Sequence, residues 1–366
     1  MKILVTGFTA NYGGMETFLM NYYREMQIID SSVVIDIIST SSEPAFKDEL
    51  LKMGGQVHYI SRARDKAKVK NELNKIMQEN NYDVFWCNKS DLADITYLEV
   101  AYKNNIPKRI LHSHSSSNMF TGFRRKMVDI LHNCNKKKVS KLATDFWACS
   151  DYAAEWLFPK EISQGKYKFI PNAVDMDKFK FSNETRETYR TELNLKDKLV
   201  IGSVGAFLYA KNPEFILEVF KEIHNLNKNT VLLWVGTGEL QEGIEAKIKE
   251  YKLEENVKLL GRRYDVAELM QAMDCFLLPS RFEGLPVVAI EAQATGLTVF
   301  ASSDGITKQT KITDSLHFLT LSDTPKQWAE QILKTDLTHK DNTEQIVASG
   351  FEIKSATKNL LKKLGD

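Results

Sequence analysis

A chain of 366 residues with 43% hydrophobic, 10% aromatic and 27% charged side chains is long enough for two cores at roughly 100–200 residues per domain, and its composition excludes a disordered tail, a collagen-like repeat and a coiled-coil rod. The formal charge of +1 argues against binding of nucleic acid by the protein as a whole and leaves local charged patches open. Cys87, Cys134, Cys149 and Cys275 form no C-x-x-C pair and have no His at metal-ligand spacing, so they are expected to be reduced, buried thiols. The start, Met1-Lys2-Ile3-Leu4-Val5-Thr6, meets Gly7 too soon for a secretory leader. No apolar run approaches the roughly 18–20 residues of a membrane span, which leads to the expectation of a cytoplasmic protein.

In chain order, Ile3 to Thr6 predicts a strand, and Met15, Phe18, Leu19, Tyr22 and Met26 predict a helix, because they share one face at spacings of three and four. Further strands are predicted at Val33 to Ile38, Val57 to Ile60, Val84 to Cys87, Ile110 to His112 and Phe146 to Cys149, most separated by charged helical stretches. After Ile170-Pro171-Asn172 the pattern restarts, with strands at Leu199 to Val204, Val231 to Val235, Val257 to Leu260, Cys275 to Leu278 and Val299 to Ala301. Asn212 and Pro213 suit the N-cap and first position of a helix. Such alternation predicts an α/β protein with two doubly wound parallel sheets. The expected domains are 1–170 and 171–345, with a last helix over 346–366 packing back toward the first.

Charge is uneven. Residues 101–170 carry 13 basic and 5 acidic side chains, an excess concentrated in Arg124, Arg125, Lys126, Lys136, Lys137, Lys138 and Lys141. The segment 124–141 has two readings, a peripheral contact with anionic lipid or a solvated helix face.

Open α/β sheets bind ligands beyond the carboxyl ends of their strands, so two such domains face one another across loops that hold the informative residues. The first, Gly7-Phe8-Thr9-Ala10-Asn11-Tyr12-Gly13-Gly14, is neither G-x-G-x-x-G nor a Walker A loop; its paired glycines serve a tight turn or let backbone N–H groups approach an anion. His112 and His114 point the same way at a strand end, but no third ligand is spaced to complete a metal site, which favours a hydrogen-bonding histidine. Lys211 stands just before a helix start, where it can share a phosphate with the helix dipole.

The most informative segment is Pro279-Ser280-Arg281-Phe282-Glu283-Gly284-Leu285-Pro286-Val287-Val288-Ala289-Ile290-Glu291-Ala292. It leaves a strand, turns at Gly284 and starts a helix near Pro286, while Gly296 suits the stop. The N–H groups of Gly284, Leu285 and Val287 would hold a diphosphate. Carboxylates at Glu283 and Glu291 beside such an anion either accept from sugar hydroxyls or simply favour the helix dipole.

Glu283 and Glu291, in Phe-Glu-Gly-Leu-Pro-Val-Val-Ala-Ile-Glu-Ala, resemble the E-x7-E motif of family 4 retaining glycosyltransferases. Gly13-Gly14, Pro171 to Asp175, Lys211-Asn212, Val235 to Leu240 and Gly261 to Asp274 agree in order, so the likeness spans nearly the whole chain. Arg109 to Ser115 and Ile306-Thr307-Lys308 most resemble bacterial capsular and exopolysaccharide transferases.

The resemblance implies the GT-B fold, two Rossmann-like domains around a nucleotide-sugar site. It further implies transfer of a hexose, from UDP as the expected nucleotide, with retention at the anomeric carbon. The acceptor would be a glycan or a lipid-linked saccharide. By the same likeness Glu283 would contact the transferred sugar and Glu291 the ribose. Lys211 would bind the diphosphate with the backbone of Gly284 and Leu285, with Gly13 and Gly14 near it. His114 would be the active-site histidine, and Arg262 and Arg263 would cradle the base.

No metal and no cofactor beyond the sugar donor are expected. Asp175-Met176-Asp177 spells the metal signature of another fold but lies in the interdomain link, so it is read as structural. One departure stands out: the family's arginine after Gly205 is Ala206 here. That loss motivates the alternative of a catalytically silent carbohydrate-binding or partner protein.

Overall fold

The computed structural model of the chain describes residues 1–62, 65–118, 120 and 122–365. The chain divides into unit 1, Met1–Ala173 with Ile353–Asp366, and unit 2, Val174–Glu352. Each is a doubly wound α/β unit in which every strand pairing is parallel.

Unit 1 holds β1 (Lys2–Val5), β2 (Val34–Ser39), β3 (Val57–Tyr59), β4 (Val84–Lys89), β5 (Lys108–Ser113), β6 (Asp145–Ala148) and β7 (Lys168–Phe169). Their order is β3-β2-β1-β4-β5-β6-β7, so the winding reverses between β1 and β4. Helix Gly14–Ile29 buries Phe18, Leu19, Tyr22 and Met26 of the expected stripe on this sheet, together with Tyr23, while Met15 is only partly buried against it. Helix Ile353–Gly365 adds Ile353, Ala356, Leu360 and Leu364 to the same core. Fully burying an aliphatic or aromatic side chain is worth roughly 1.5–3 kcal/mol, and this shared face is what draws the chain's last helix to its first domain.

Unit 2 holds β8 (Leu199–Val204), β9 (Thr230–Val235), β10 (Val257–Leu259), β11 (Cys275–Leu278), β12 (Thr298–Ser302) and β13 (Leu316–Leu319). The order β10-β9-β8-β11-β12-β13 puts the reversal between β8 and β11. Ile216, Leu217, Phe220 and Ile223 of helix Pro213–Leu226 pack on one face with Ile201, Leu232, Trp234 and Leu277. Crossover helices on a right-twisted parallel sheet force this winding, and the reversal leaves a crevice at the carboxyl edge where adjacent loops diverge.

Several local expectations are corrected. The two edge strands Lys168–Phe169 and Leu316–Leu319 escape the sequence pattern, the first because two residues carry no periodicity. Asn212 takes the N-cap position but is left-handed, at φ 56°, and makes no side-chain cap hydrogen bond. Pro286 is the N-cap of its helix, and Val287 is its first helical residue. Cys87, Cys149 and Cys275 are buried, but Cys134 is exposed because its helix turns it outward. Asp175 caps the short helix Met176–Phe179 by accepting from the Asp177 N–H, which gives that acidic pair a structural role.

Candidate active site

In unit 2 the strands β8 and β11 deliver the loops 205–212 and 279–286 to the reversal point. The Lys211 ammonium meets the Glu283 carboxylate there, Nζ to Oε1 at 2.5 Å, with both side chains largely shielded from water. Ser280 Oγ donates to the same Glu283 oxygen at 2.8 Å, and the Glu283 N–H donates to the Gly305 carbonyl at 2.8 Å. The acidic side chain is thus held from its backbone and its head. Arg281 ties the two loops together: its N–H donates to the Ala210 carbonyl, its guanidinium donates to the Tyr209 carbonyl at 2.8 Å, and it stacks on the Tyr209 ring.

The neighbouring loops close on the same edge. Gly205 N–H donates to the Val235 carbonyl, Phe207 N–H to Thr237 and Gly236 N–H to Gly261, so the segments after β8, β9 and β10 lie backbone against backbone. Gly236 is required by two facts: its φ is 140°, and a Cβ there would sit 1.9 Å from the Gly205 carbonyl oxygen. A small recess bounded by Val204, Gly205, Ala206, Lys211 and Trp234 lies at this edge. A wider one, lined by Arg186, Arg190, Asp274 and His339, lies by the amino ends of β8 and β11, where Asp274 already pairs with both arginines.

Gly284 and Leu285 form the turn from β11 into helix Val287–Ala294, and Leu285 is buried. Glu291 projects from the second turn of that helix. Its carboxyl has no hydrogen bond or ion pair among the described residues, and burial alone pushes its pKa up to about 7. A desolvated carboxyl without a partner is the condition in which an arriving hydroxyl donor gains most. Arg263 makes a two-point ion pair with Asp265, which also accepts from the Tyr189 hydroxyl; Arg262 is exposed. Arg263 is therefore already engaged by a carboxylate, which the residue pattern does not reveal.

In unit 1, Gly13 and Gly14 open the first helix. Gly13 caps helix Gly14–Ile29, but a Cβ there would meet Glu16 Oε2 at 2.7 Å. Glu16, buried in the first turn, accepts from the Thr9 N–H at 3.1 Å and the Thr9 hydroxyl at 2.6 Å. The chain's own carboxylate thus lies beside the helix N-terminus and folds the loop 7–13 over it. The glycine leaves room for that carboxylate.

His114 follows β5 beside that sheet's reversal. Asn88 at the end of β4 donates its amide nitrogen to the Thr6 carbonyl at 2.8 Å, so its Oδ1 faces His114 Nε2 at 2.7 Å. This network assigns the His114 proton to Nε2 and leaves Nδ1 as an acceptor. Burial pulls the His114 pKa down to about 3, which keeps the ring neutral. His112 is fully buried; Trp86 Nε1 donates to its Nδ1 at 3.1 Å, and its ring lies 4.0 Å from that of His114. The two rings pack as aromatics on Phe18. Among the described residues no group of three or more His, Cys, Asp or Glu side chains converges as a metal site would require.

The structure therefore brings Lys211, Glu283, Gly284 and Leu285 together at one sheet reversal in unit 2, and sets Glu291 on the helix that follows them. Sequence reasoning missed Ser280, Asn88 and Glu16. For Glu16 a signal existed, an acidic residue in the first turn after a Gly-Gly pair. For Asn88 and Ser280 there was none, because their partners are remote or set by a turn.

Two parallel α/β units with charged loops at their reversal points define a GT-B protein. Over its full length the chain has a TM-score of 0.78 to HepE of Anabaena, solved with UDP, at 18% identity and full coverage of both chains. Residues 185–345 match the family described as glycosyl transferases group 1. The chain is 30% identical over 346 residues to EpsF of Bacillus subtilis (strain 168), described as a glycosyltransferase, covering 92% of this chain and 88% of that one. CapH of Staphylococcus aureus, named as a capsular polysaccharide biosynthesis glycosyltransferase, is 25% identical with 98% and 97% covered. The protein belongs to the group 1 glycosyl transferases.

Proposed function

We propose that this glycosyltransferase acts in surface polysaccharide synthesis, moving a hexose from a UDP-sugar to a glycan or lipid-linked saccharide with retention, in the manner of family 4 and without a metal. The observation that carries the reading is the Lys211–Glu283 pair at the β8/β11 reversal. One cation and one carboxylate are held against each other where a ligand of both characters would separate them. The name of CapH, a capsular polysaccharide biosynthesis glycosyltransferase, supports the polysaccharide context.

In this reading a donor exchanges the internal contact for two external ones. The diphosphate takes the Lys211 ammonium together with the backbone at Gly284 and Leu285, and sugar hydroxyls donate to Glu283. Glu291 accepts from the ribose, which relieves its desolvation. Arg262 faces the base, and Arg263 joins it by sharing or leaving Asp265. Neutral His114 accepts or donates at the sugar without adding charge, while Gly14 serves the phosphate.

The departing diphosphate takes the acceptor's hydroxyl proton as the new glycosidic bond forms on the face it leaves, so the anomeric configuration is kept. Cation and helix dipole then stabilise the developing anion in place of a metal. Ala206 removes one charge-assisted contact, worth about 1.5–3 kcal/mol; Arg281, on the adjoining loop, or Arg262 supplies the second cation.

A panel of nucleotide sugars, with nucleotide release measured with and without saccharide acceptors, tests the proposal. Acceptor-dependent release of UDP with an α product from an α donor is expected. Release that needs no acceptor would point to hydrolysis or epimerisation, and no release with any donor would return the silent binding protein.

A further inference from the structure

We propose that Gln293 is a positioning residue for Glu283, acting through the connection between β12 and β13 and not through contact with a substrate. The inference rests on the reading of Glu283 as the carboxylate that meets the transferred sugar. Gln293 is fully buried near the end of helix Val287–Ala294. Its Oε1 accepts from the Ile312 N–H at 3.2 Å, the Thr313 N–H at 3.1 Å and the Thr313 hydroxyl at 3.1 Å. Its Nε2 donates to the Thr310 carbonyl at 2.8 Å and to the Ala289 carbonyl at 2.9 Å. N–H groups on one side and carbonyls on the other fix which way the amide points, and both of its donors and its acceptor oxygen are used.

The segment that this amide grips, 310–313, is the far end of a strap that starts beside the turn carrying Glu283. At the near end the Gly305 carbonyl accepts from the Glu283 N–H at 2.8 Å, and the Ser302 hydroxyl donates to the Ser280 carbonyl. The approach is so close that a Cβ on Gly305 would stand 2.2 Å from the Ser280 carbonyl oxygen. Between the two ends Ile306 and Thr307 are buried. The Thr307 carbonyl accepts from the Thr310 N–H at 3.0 Å across the short turn Lys308–Thr310. The two anchors are therefore joined by chain that is itself held in place.

An apolar side chain would fill the same space as Gln293 but withdraw a partner from two N–H groups, a hydroxyl and a carbonyl of the strap, which would shift to find others. Movement at 310–313 passes to Gly305, and from its carbonyl to the backbone of Glu283. Geometry at a reacting centre is sensitive on this scale, since a displacement of about 1 Å costs up to about a hundredfold in rate. Lys211 stands on the loop after β8, outside the strap. Loss of Gln293 should therefore disturb the contact with the sugar and spare the contacts with the nucleotide.

Amide hydrogen exchange of the peptide 279–286 reads the hold on the Glu283 backbone without reference to turnover. Gln293→Met should raise exchange there about tenfold or more and leave the peptide 205–212 unchanged. With a UDP-sugar the same variant should lower kcat about tenfold, while the Kd for UDP, measured by calorimetric titration, stays at the wild-type value. Thr313→Val removes one bond of the clamp and should show the same pattern in smaller measure. Thr298→Val is the control: it removes a buried hydroxyl bond to the Asp336 carbonyl elsewhere on β12, and should leave both readouts unchanged while lowering the unfolding midpoint.

Unchanged exchange at 279–286 in folded Gln293→Met, or an equal rise in Thr298→Val, overturns the proposal. A fall in UDP affinity that matches the fall in kcat also overturns it, and makes Gln293 a support of the helix that carries Glu291. Should Gln293→Met fail to fold, Thr313→Val decides by the same two readouts. Absence of transfer by the wild type with every donor would defeat the reading of Glu283 as a sugar contact, whereas the exchange result would still decide whether Gln293 holds its backbone.

Discussion

Glu291→Gln should separate what this carboxyl does to the fold from what it does for the donor. In the folded chain burial pushes its pKa up to about 7, against an ordinary value of 4.5. A raised carboxyl pKa favours the protonated folded form, so its stabilising contribution is complete below pH 4.5, is lost as pH rises to 7, and becomes the full cost of a buried anion above that. At about 1.4 kcal/mol for each tenfold change in proton affinity, the gap amounts to about 3 kcal/mol, reduced to about 2 because the side chain keeps some contact with water.

The neutral amide has nearly the same shape and no such cost. Glu291→Gln should therefore stabilise the ligand-free protein by about 2 kcal/mol at pH 8 and by less than about 1 kcal/mol at pH 5. The same change removes a charged acceptor for a ribose hydroxyl, worth about 1.5–3 kcal/mol, so UDP affinity should fall about tenfold or more. Urea unfolding at the two pH values and calorimetric titration with UDP read the two effects separately. Equal or lower stability at pH 8 would refute the desolvation argument. Unchanged UDP affinity would refute the ribose assignment and leave the first result standing.

Glu283→Ala should abolish transfer while the protein stays folded; leaving Lys211 and Ser280 without their shared acceptor costs about 1–2 kcal/mol, and normal turnover would remove Glu283 from the site. Ala206→Arg should tighten donor binding about tenfold by restoring a charge-assisted contact to phosphate, as a UDP titration would show. Asn88→Leu should free the His114 tautomer and lower kcat about tenfold with donor KM unchanged; a rise in KM at unchanged kcat would instead assign Asn88 to donor binding. With the His114 pKa held down to about 3, the stability that depends on its neutral ring is present above pH 6.5 and is lost as pH falls from there toward 3, so activity between pH 7 and 8 should show no imidazole titration. Gly236→Ala should destabilise unit 2 by at least about 2 kcal/mol, since its Cβ would meet a backbone oxygen that cannot withdraw; an unchanged unfolding midpoint would contradict that packing.

Much of the fold was legible before any coordinates. Eleven of the strands follow from β-branched runs, and helices such as Gly14–Ile29 and Pro213–Leu226 follow from stripes at spacings of three and four, because the burial that stabilises them is written into local periodicity. The segment from Ser280 to Glu291 was equally legible as a turn, a cap and two carboxylates. Edge strands of two and four residues were not, since their pairing is decided by the neighbour they meet.

What tertiary structure alone decided concerns direction and partnership. A sequence can place Glu283 and Lys211 on loops 72 residues apart, but only the reversal between β8 and β11 makes them an ion pair. It can show an acidic residue after Gly13-Gly14, but not that this carboxylate turns back to Thr9 beside the helix start. The helix Gly122–Lys136 shows the limit most plainly: its pattern of apolar and basic residues is local, whereas the side that faces water is set by where His132 and Asn135 find backbone partners 24 to 43 residues away. Periodicity records which residues share a face. The orientation of that face is determined by non-local hydrogen bonds and packing, which no short window of sequence contains.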